Sequence, residues 1–194
     1  MTSRIVDRLS SVITVERAQF ALKDHDGDSD DPAGWPTPAE VAGRLSPQEG
    51  GSWFEATVNW AVFLSEAEWH DVEVELELWD GRPPEGGPEW PRSRVAPFFA
   101  TSGLVYACPL YGGDPPPRPL DLRRDAAEWL VRAEVRPGPG WEWPDEERPP
   151  VGVERWRVSF WPAEGSDPRL TNAPRRGGDS GSVRRYAETV ARPL

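Results

Sequence analysis

The acidic run KDHDGDSDDPAGW, residues 23–35, contains the residue types of a calcium-binding loop. Calcium takes about six to eight oxygen ligands, so a loop that binds it spaces its carboxylates at fixed steps and ends on a bidentate acid. Counting from Asp24 puts Ser29 where such a loop requires a glycine and Trp35 where it requires the closing acid. Counting from Asp26 fails at the same two positions. We therefore predict a solvated acidic loop and no metal site.

The sequence offers few groups for nucleophilic or acid–base catalysis. Its only cysteine, Cys108, lies in a strand-like run, where a thiol is more often a small buried hydrophobe than a nucleophile. His70 precedes Asp71 at the start of a predicted strand, so their side chains point to opposite faces, and we expect His70 at the surface. The other histidine, His25, is too distant in sequence to complete a zinc motif with them. The prediction is a protein that is not an enzyme and has no cofactor.

Three glutamates at alternate positions, Glu73, Glu75 and Glu77, share one face of a predicted strand. A pair of facing carboxylates is the machinery of a glycosidase. Alternate acidic residues on a strand are far more often a solvated face, and we interpret these three in that way.

Alternation of apolar and polar residues is the strongest structural signal in the chain. Residues 53–64 and 70–80 alternate along their whole length, as strands with one buried face do. Further strands are predicted at residues 12–22, 94–101, 103–110, 119–123, 128–136 and 153–161. Proline- and glycine-rich connections separate them, and one short helix is predicted at 37–45. The predicted fold is all-β, an antiparallel, jelly-roll-like β-sandwich of about eight strands.

The composition changes near residue 163, which divides the chain into a β-sandwich domain at 1–162 and a tail at 163–194. The tail is rich in arginine and glycine, and we predict it to be flexible or partly helical. It holds six arginines and four acids, a charge of +2, so the remainder carries −13 of the total of −11. We expect the basic tail to fold onto its own acidic body rather than to bind nucleic acid.

Net charge restricts the partners of this chain. It has 33 acidic and 22 basic residues, and a surface of that charge repels nucleic-acid phosphates and attracts basic proteins. No apolar run is long enough to span a membrane, no export signal is recognisable, and the single cysteine suits a reducing compartment. We predict a cytoplasmic protein that binds neither membrane nor nucleic acid.

Four segments carry a resemblance to a known family: VITVERAQFALKD, GSWFEATVNWAVFL, RVAPFFATSGLVYAC and VERWRVSFWPAE. In this layout, over residues 12–164, the chain resembles the competence protein J family, small bacterial proteins that inhibit a DNA-entry nuclease, and related actinobacterial proteins. Insertions at 82–92 and 137–150 and the arginine-rich tail depart from the family pattern. The resemblance implies a β-domain that inhibits a nuclease, and an acidic chain suits that role because it mimics the charge of DNA.

Eleven tryptophans are many for 194 residues, and those in loops are candidate anchors for a partner. We predict a protein-binding module that serves as an inhibitor or immunity protein against a basic nuclease or toxin. The predicted partner-binding residues are Asp24, Asp26, Asp28, Asp30, Asp31, Trp35, Trp141 and Trp143. Two alternatives remain open, a carbohydrate-binding module that stacks sugars on loop tryptophans and an accessory component of an assembly that docks through its arginine tail.

Overall fold

A computed structural model describes residues 3–27, 35–48, 50–111, 118–144 and 148–165. Within these residues the chain forms ten strands and one short helix. In chain order they are β1 (Ile5–Glu16), β2 (Gln19–Asp24), α1 (Pro38–Gly43), β3 (Phe54–Ala56), β4 (Trp60–Leu64), β5 (Trp69–Trp79), β6 (Arg92–Ala100), β7 (Leu104–Pro109), β8 (Leu120–Asp121), β9 (Ala127–Pro137) and β10 (Glu154–Pro162).

The helix α1 forms where the sequence predicts one, and its first turn shows why. Thr37 caps it, with the hydroxyl accepting a hydrogen bond from the Glu40 backbone N–H at 3.2 Å while the Glu40 carboxylate accepts one from the Thr37 N–H at 2.7 Å. Pro38 follows the cap, at a position where its missing N–H leaves no hydrogen bond unmade. The buried Val41 anchors this helix, which packs against β4.

The strands form one mixed sheet in the order β3-β4-β2-β1-β5-β10-β9-β6. Strand β7 also pairs with β2, along the edge opposite β4, and β8 pairs with β7. A bridge between Val58 and Phe99 links the two ends of this order, so the sheet is nearly closed into a barrel. The prediction of a mainly β protein is confirmed. The antiparallel arrangement is corrected, because β10 pairs with β5 in the parallel direction. Four strands separate β5 from β10 in sequence, so no hairpin turn sets their relative direction.

The interior of the sheet is filled by the apolar residues that the alternation identified. Val72, Val74, Leu76 and Leu78 of β5 all point inward and are fully buried. The centre is aromatic: the Phe20 and Phe63 rings stack at 4.6 Å, and the Trp156 ring meets Phe20 edge-on at 5.0 Å. These contacts join β2 and β4 to β10 across the barrel interior.

The predicted domain boundary, between residues 162 and 163, lies close to residue 165, the last residue that the structure describes. The last strand, β10, ends at Pro162, and residues 166–194, most of the predicted tail, lie outside the described residues. The tail therefore stays a prediction. In the described ranges, no helix has the length and apolar character needed to cross a membrane.

Candidate functional site

Three exposed tryptophans meet at one end of the sheet. Trp69 is the first residue of β5, and Trp141 and Trp143 belong to the connection between β9 and β10. The Trp141 and Trp143 rings stack at 6.4 Å with an interplanar angle of 20°, and the Trp69 ring lies 6.5 Å from that of Trp143. Their exposed fractions are 42%, 58% and 59% in sequence order. We call Trp69, Trp141 and Trp143 the tryptophan patch, with Trp143 at its centre.

The β9–β10 connection holds the patch in place because it continues the hairpin beyond the two strands. The Gly138 N–H donates to the Val153 carbonyl at 2.9 Å, and Glu142 and Val151 exchange backbone hydrogen bonds at 3.0 and 2.8 Å. A side chain on Gly138 would collide with the Gly152 backbone, so this close approach requires a glycine. The Asp71 N–H donates to the Pro150 carbonyl at 2.8 Å and ties the connection to β5 beside Trp69.

Carboxylates flank the tryptophan patch. Glu16 lies directly opposite Trp69 in the β1–β5 pair, and Asp71 follows on the same face of β5, where it accepts a hydrogen bond from the Thr14 hydroxyl at 2.6 Å. Farther along that face, Glu73 pairs with Arg155 at 3.4 Å. Glu16 is exposed and makes no ion pair with any described residue. The face around the patch is therefore both aromatic and acidic.

The patch differs from three partly buried tryptophans in what lies over its rings. Three tryptophans outside the patch carry a cation of this chain over the indole, with the cation 4.5 to 5.0 Å from the ring centroid. These pairs are Lys23 on Trp60, Arg92 on Trp53, and both Arg136 and Arg157 on Trp90. Among the described residues, no cation lies over the ring of Trp69, Trp141 or Trp143. The patch therefore presents indole rings over which the described chain places no cation.

The residues predicted to bind a partner fall into four groups. Trp141 and Trp143 lie together, and the structure adds Trp69, which sequence reasoning missed although it has the same outward phase as the acids that follow it on β5. Trp35 is half exposed and lies just before α1, outside the patch. Asp28, Asp30 and Asp31 lie outside the described residues.

Asp24 and Asp26, the remaining predicted residues, point into the protein, with exposed fractions of 0% and 6%. Asp24 Oδ1 accepts hydrogen bonds from the Asp26 N–H, the Ser102 N–H and the Ser102 hydroxyl at 3.0, 3.0 and 2.7 Å, and Oδ2 accepts one from the Gly103 N–H at 2.8 Å. Burial raises the pKa of Asp24, and these hydrogen bonds oppose the shift. Asp24 therefore joins the end of β2 to the β6–β7 turn.

No group of three or more His, Cys, Asp or Glu side chains within the described ranges has the arrangement needed to hold a metal ion. Of the Asp and His side chains in the acidic run, those of Asp24, His25 and Asp26 lie in those ranges. Both carboxylate oxygens of Asp24 accept hydrogen bonds from within the protein.

A buried Ser–His–Glu cluster lies beneath the patch, and it corrects the expectation that His70 is a surface residue. His70 is fully buried, with Nε2 2.8 Å from the Ser65 hydroxyl and 3.7 Å from Glu154 Oε1. A catalytic triad needs its acid on the opposite ring nitrogen from the serine. Here serine and glutamate both approach Nε2, so the cluster lacks triad geometry. Along β5, His70 shares the inward face with Val72 and Val74, and Asp71 lies on the outward face. The expectation of a surface histidine is therefore wrong.

Burial of His70 predicts acid sensitivity. Burial lowers the pKa of His70, and Glu154 and Asp71 only partly oppose this. The unfolded chain therefore binds a proton at higher pH than the folded chain, and stability falls as pH drops below about 6.5, by up to about 1.4 kcal/mol per pH unit. We expect His70→Gln to flatten this fall in urea unfolding followed from about pH 7.5 to 5. The exposed His25 provides the matched control His25→Gln, and an equal pH dependence in both variants would contradict the assignment.

A layer of buried charge covers the outer face of the sheet farther from the patch. Glu134 is fully buried and binds Arg157 Nη2 at 2.7 Å, with Arg132 Nε at 3.5 Å. Glu77 on β5 is buried too, and binds Arg8 at 2.6 Å. Burial lowers the pKa of Arg132, which Glu134 opposes. The interpretation of the β5 glutamates as a solvated face holds for Glu73 and is wrong for Glu77.

The segment between β5 and β6 covers Glu134 and its two arginines. The Arg132 guanidinium donates to the Pro84 carbonyl at 2.7 Å, and Arg157 lies 4.5 Å from the centre of the Trp90 ring. Gly86 packs so closely on the Glu134 carboxylate that any side chain there would collide with it. The alternation of β5 cannot reveal this cover, because the covering segment contains no strand of its own.

These features define a class, a mainly β protein built on a mixed sheet that nearly closes into a barrel. No protein-family model matches the sequence, and no curated protein matches it. Among solved structures, the chain is similar to ComJ from Bacillus subtilis, an inhibitor of the DNA-degrading activity of NucA. The TM-score is 0.50 at 10% identity, over 84% of this chain and 100% of ComJ. It is also similar to the protein of crocagin biosynthetic gene J, with a TM-score of 0.48 at 14% identity, over 84% and 99% of the two chains. The resemblance to the competence protein J family is thus confirmed at the level of the fold.

Proposed function

We propose that this chain is an acidic protein-binding module that inhibits a basic partner, a nuclease or another toxin. The observation that carries the proposal is the tryptophan patch, where three exposed indoles lie together beside Glu16 and Asp71. Exposed clusters of large aromatic side chains are where protein interfaces concentrate their binding energy. The module acts by covering the partner's site.

The charge of the chain selects the partner. A formal charge of −11 accelerates encounter with a basic protein and disfavours nucleic acid. Nuclease active sites are basic because they hold phosphates, so an acidic surface competes with the substrate for the same groups. The fold similarity to ComJ, an inhibitor of the nuclease NucA, supports a nuclease as partner. We also propose a cytoplasmic location, which suits a chain whose only cysteine cannot form an internal disulfide.

The predicted residues take different roles in this proposal. Trp141 and Trp143 anchor the partner, whereas Trp35 lies outside the patch and is not part of the surface that we propose. Asp28, Asp30 and Asp31 provide charge for encounter, whereas the buried Asp24 and Asp26 shape the end of β2 that precedes them. The binding surface is therefore built from the patch and its flanking acids.

A carbohydrate ligand is the second candidate, favoured by one feature. The Trp141 and Trp143 rings lie within 20° of parallel, and such exposed rings form platforms on which sugars stack. A glycan array distinguishes the two functions, since a sugar ligand would bind without the salt dependence that a basic protein shows.

We expect Trp143→Ala to weaken binding of the partner nuclease about 10- to 100-fold. The full chain serves as bait for basic nucleases from cells that contain it, and the purified nuclease is then measured in a DNA-degradation assay with increasing inhibitor. Trp35→Ala is the matched control, because this tryptophan is similarly exposed but lies outside the patch. The proposal fails if no nuclease is retained, or if a retained nuclease keeps full activity with the chain in excess.

A further inference from the structure

We infer that the tryptophan patch binds an arginine side chain of the partner, with the guanidinium stacked on Trp143 and paired with Glu16 or Asp71. This inference rests on the proposed function and specifies its recognition chemistry. It commits the site to one occupant, a protein segment that presents arginine.

The same arrangement, an arginine held by a tryptophan ring and a carboxylate, occurs twice within the protein. Arg92 stacks on Trp53 at 4.9 Å while it donates to the Glu66 carboxylate at 2.8 Å. Arg157 stacks on Trp90 at 4.5 Å while it donates to Glu134 at 2.8 Å. In both places an indole face and a carboxylate together hold one guanidinium.

The tryptophan patch offers the same two components without the cation. Its indole faces carry no cation of the described chain, and Glu16, opposite Trp69, forms no ion pair there. Asp71 has one carboxylate oxygen engaged by Thr14. Farther along this face, Arg155 is paired with Glu73. A guanidinium from another molecule would complete an arrangement that this chain builds elsewhere from its own residues.

Arginine fits this site better than lysine for a physical reason. The guanidinium is planar and weakly hydrated, so it stacks flat on an indole while its edge donates to a carboxylate. The lysine ammonium can also lie over an indole, as Lys23 does on Trp60, but it is compact, strongly hydrated and has no planar group that could stack on the ring while its edge pairs with a carboxylate.

The test uses the full chain and three short peptides, tetra-arginine, tetra-lysine and tetra-citrulline. Citrulline keeps the planar shape of arginine and removes its charge. Binding is followed by NMR through the indole N–H signals, assigned with single Trp→Phe variants. We expect tetra-arginine to shift the signals of Trp69, Trp141 and Trp143, to bind at least about fivefold more tightly than tetra-lysine, and to weaken with salt, while tetra-citrulline leaves the signals unchanged.

Two variants tie the binding to the patch. Trp143→Ala should reduce the affinity for tetra-arginine by at least about tenfold, and Trp35→Ala should leave it unchanged. Equal binding of tetra-lysine, an undiminished affinity of Trp143→Ala, or shifts confined to tryptophans outside the patch would overturn the inference. A nuclease that is inhibited through Trp143 while tetra-arginine does not bind would overturn it and leave the proposed function intact. Tetra-arginine binding at the patch without any inhibited nuclease would support it and count against the proposed function.

Discussion

Replacing Glu134 with alanine should lower the free energy of unfolding by about 3 to 5 kcal/mol, because it leaves buried cations without their counter-charge. Arg132 is nearly inaccessible, with 6% of its side chain exposed, and Glu134 is its closest ion-pair partner at 3.5 Å. Arg157 loses both of its bonds to the same carboxylate, at 2.8 and 2.7 Å. The segment that covers Glu134 is packed on its carboxylate through Gly86 and would be left over a void.

Urea unfolding measured by tryptophan fluorescence gives this free energy directly. The matched control is Glu73→Ala, which removes the same side chain from the same outer face, where it is half exposed and pairs with Arg155. An exposed ion pair of this kind contributes about 0 to 1 kcal/mol. If the two variants lose equal stability, the buried charge layer does not hold the segment in place.

Replacing Asp24 with asparagine should cost about 2 to 4 kcal/mol of stability, although the two side chains have the same shape. The Asp24 carboxylate is the acceptor in all four of its hydrogen bonds. The NH₂ group of an asparagine would face at least one of the four donors, and that hydrogen bond would be lost. The site is fully buried, so water cannot replace the lost bond. The change weakens the contact between the end of β2 and the β6–β7 turn, which the Gly103 and Ser102 bonds to Asp24 help to hold.

This loss can be measured by urea unfolding beside Glu128→Gln, a carboxylate-to-amide change at an exposed position of β9. Equal stability of the two variants would contradict the role given to Asp24. The result also decides how the acidic run can be tested for partner binding. Because we expect Asp24→Asn to destabilise the fold, a charge test should use Asp28, Asp30 and Asp31.

Local patterns in the sequence determined most of the elements and their inward faces. Alternation placed Val72, Val74, Leu76 and Leu78 on the inward face of β5, and α1 forms within the predicted range 37–45, where Thr37 and Glu40 cap its first turn. These predictions succeed because they depend on neighbours a few positions apart, whose relative orientation the backbone sets. The loop position of Trp141 and Trp143 likewise indicated that they are exposed.

The tertiary structure alone decided which surfaces are covered and which side chains meet. Alternation shows that Glu73 and Glu77 share a face, but only the tertiary structure shows that Glu77 is buried and bound to Arg8 while Glu73 is half exposed. Alternation also cannot predict the contact between Trp69 and Trp143. These residues are far apart in sequence and meet only once the β9–β10 hairpin and the parallel β5–β10 pair have formed. Acidic and aromatic composition pointed to a basic partner, and long-range packing determined where the aromatic groups gather to meet it.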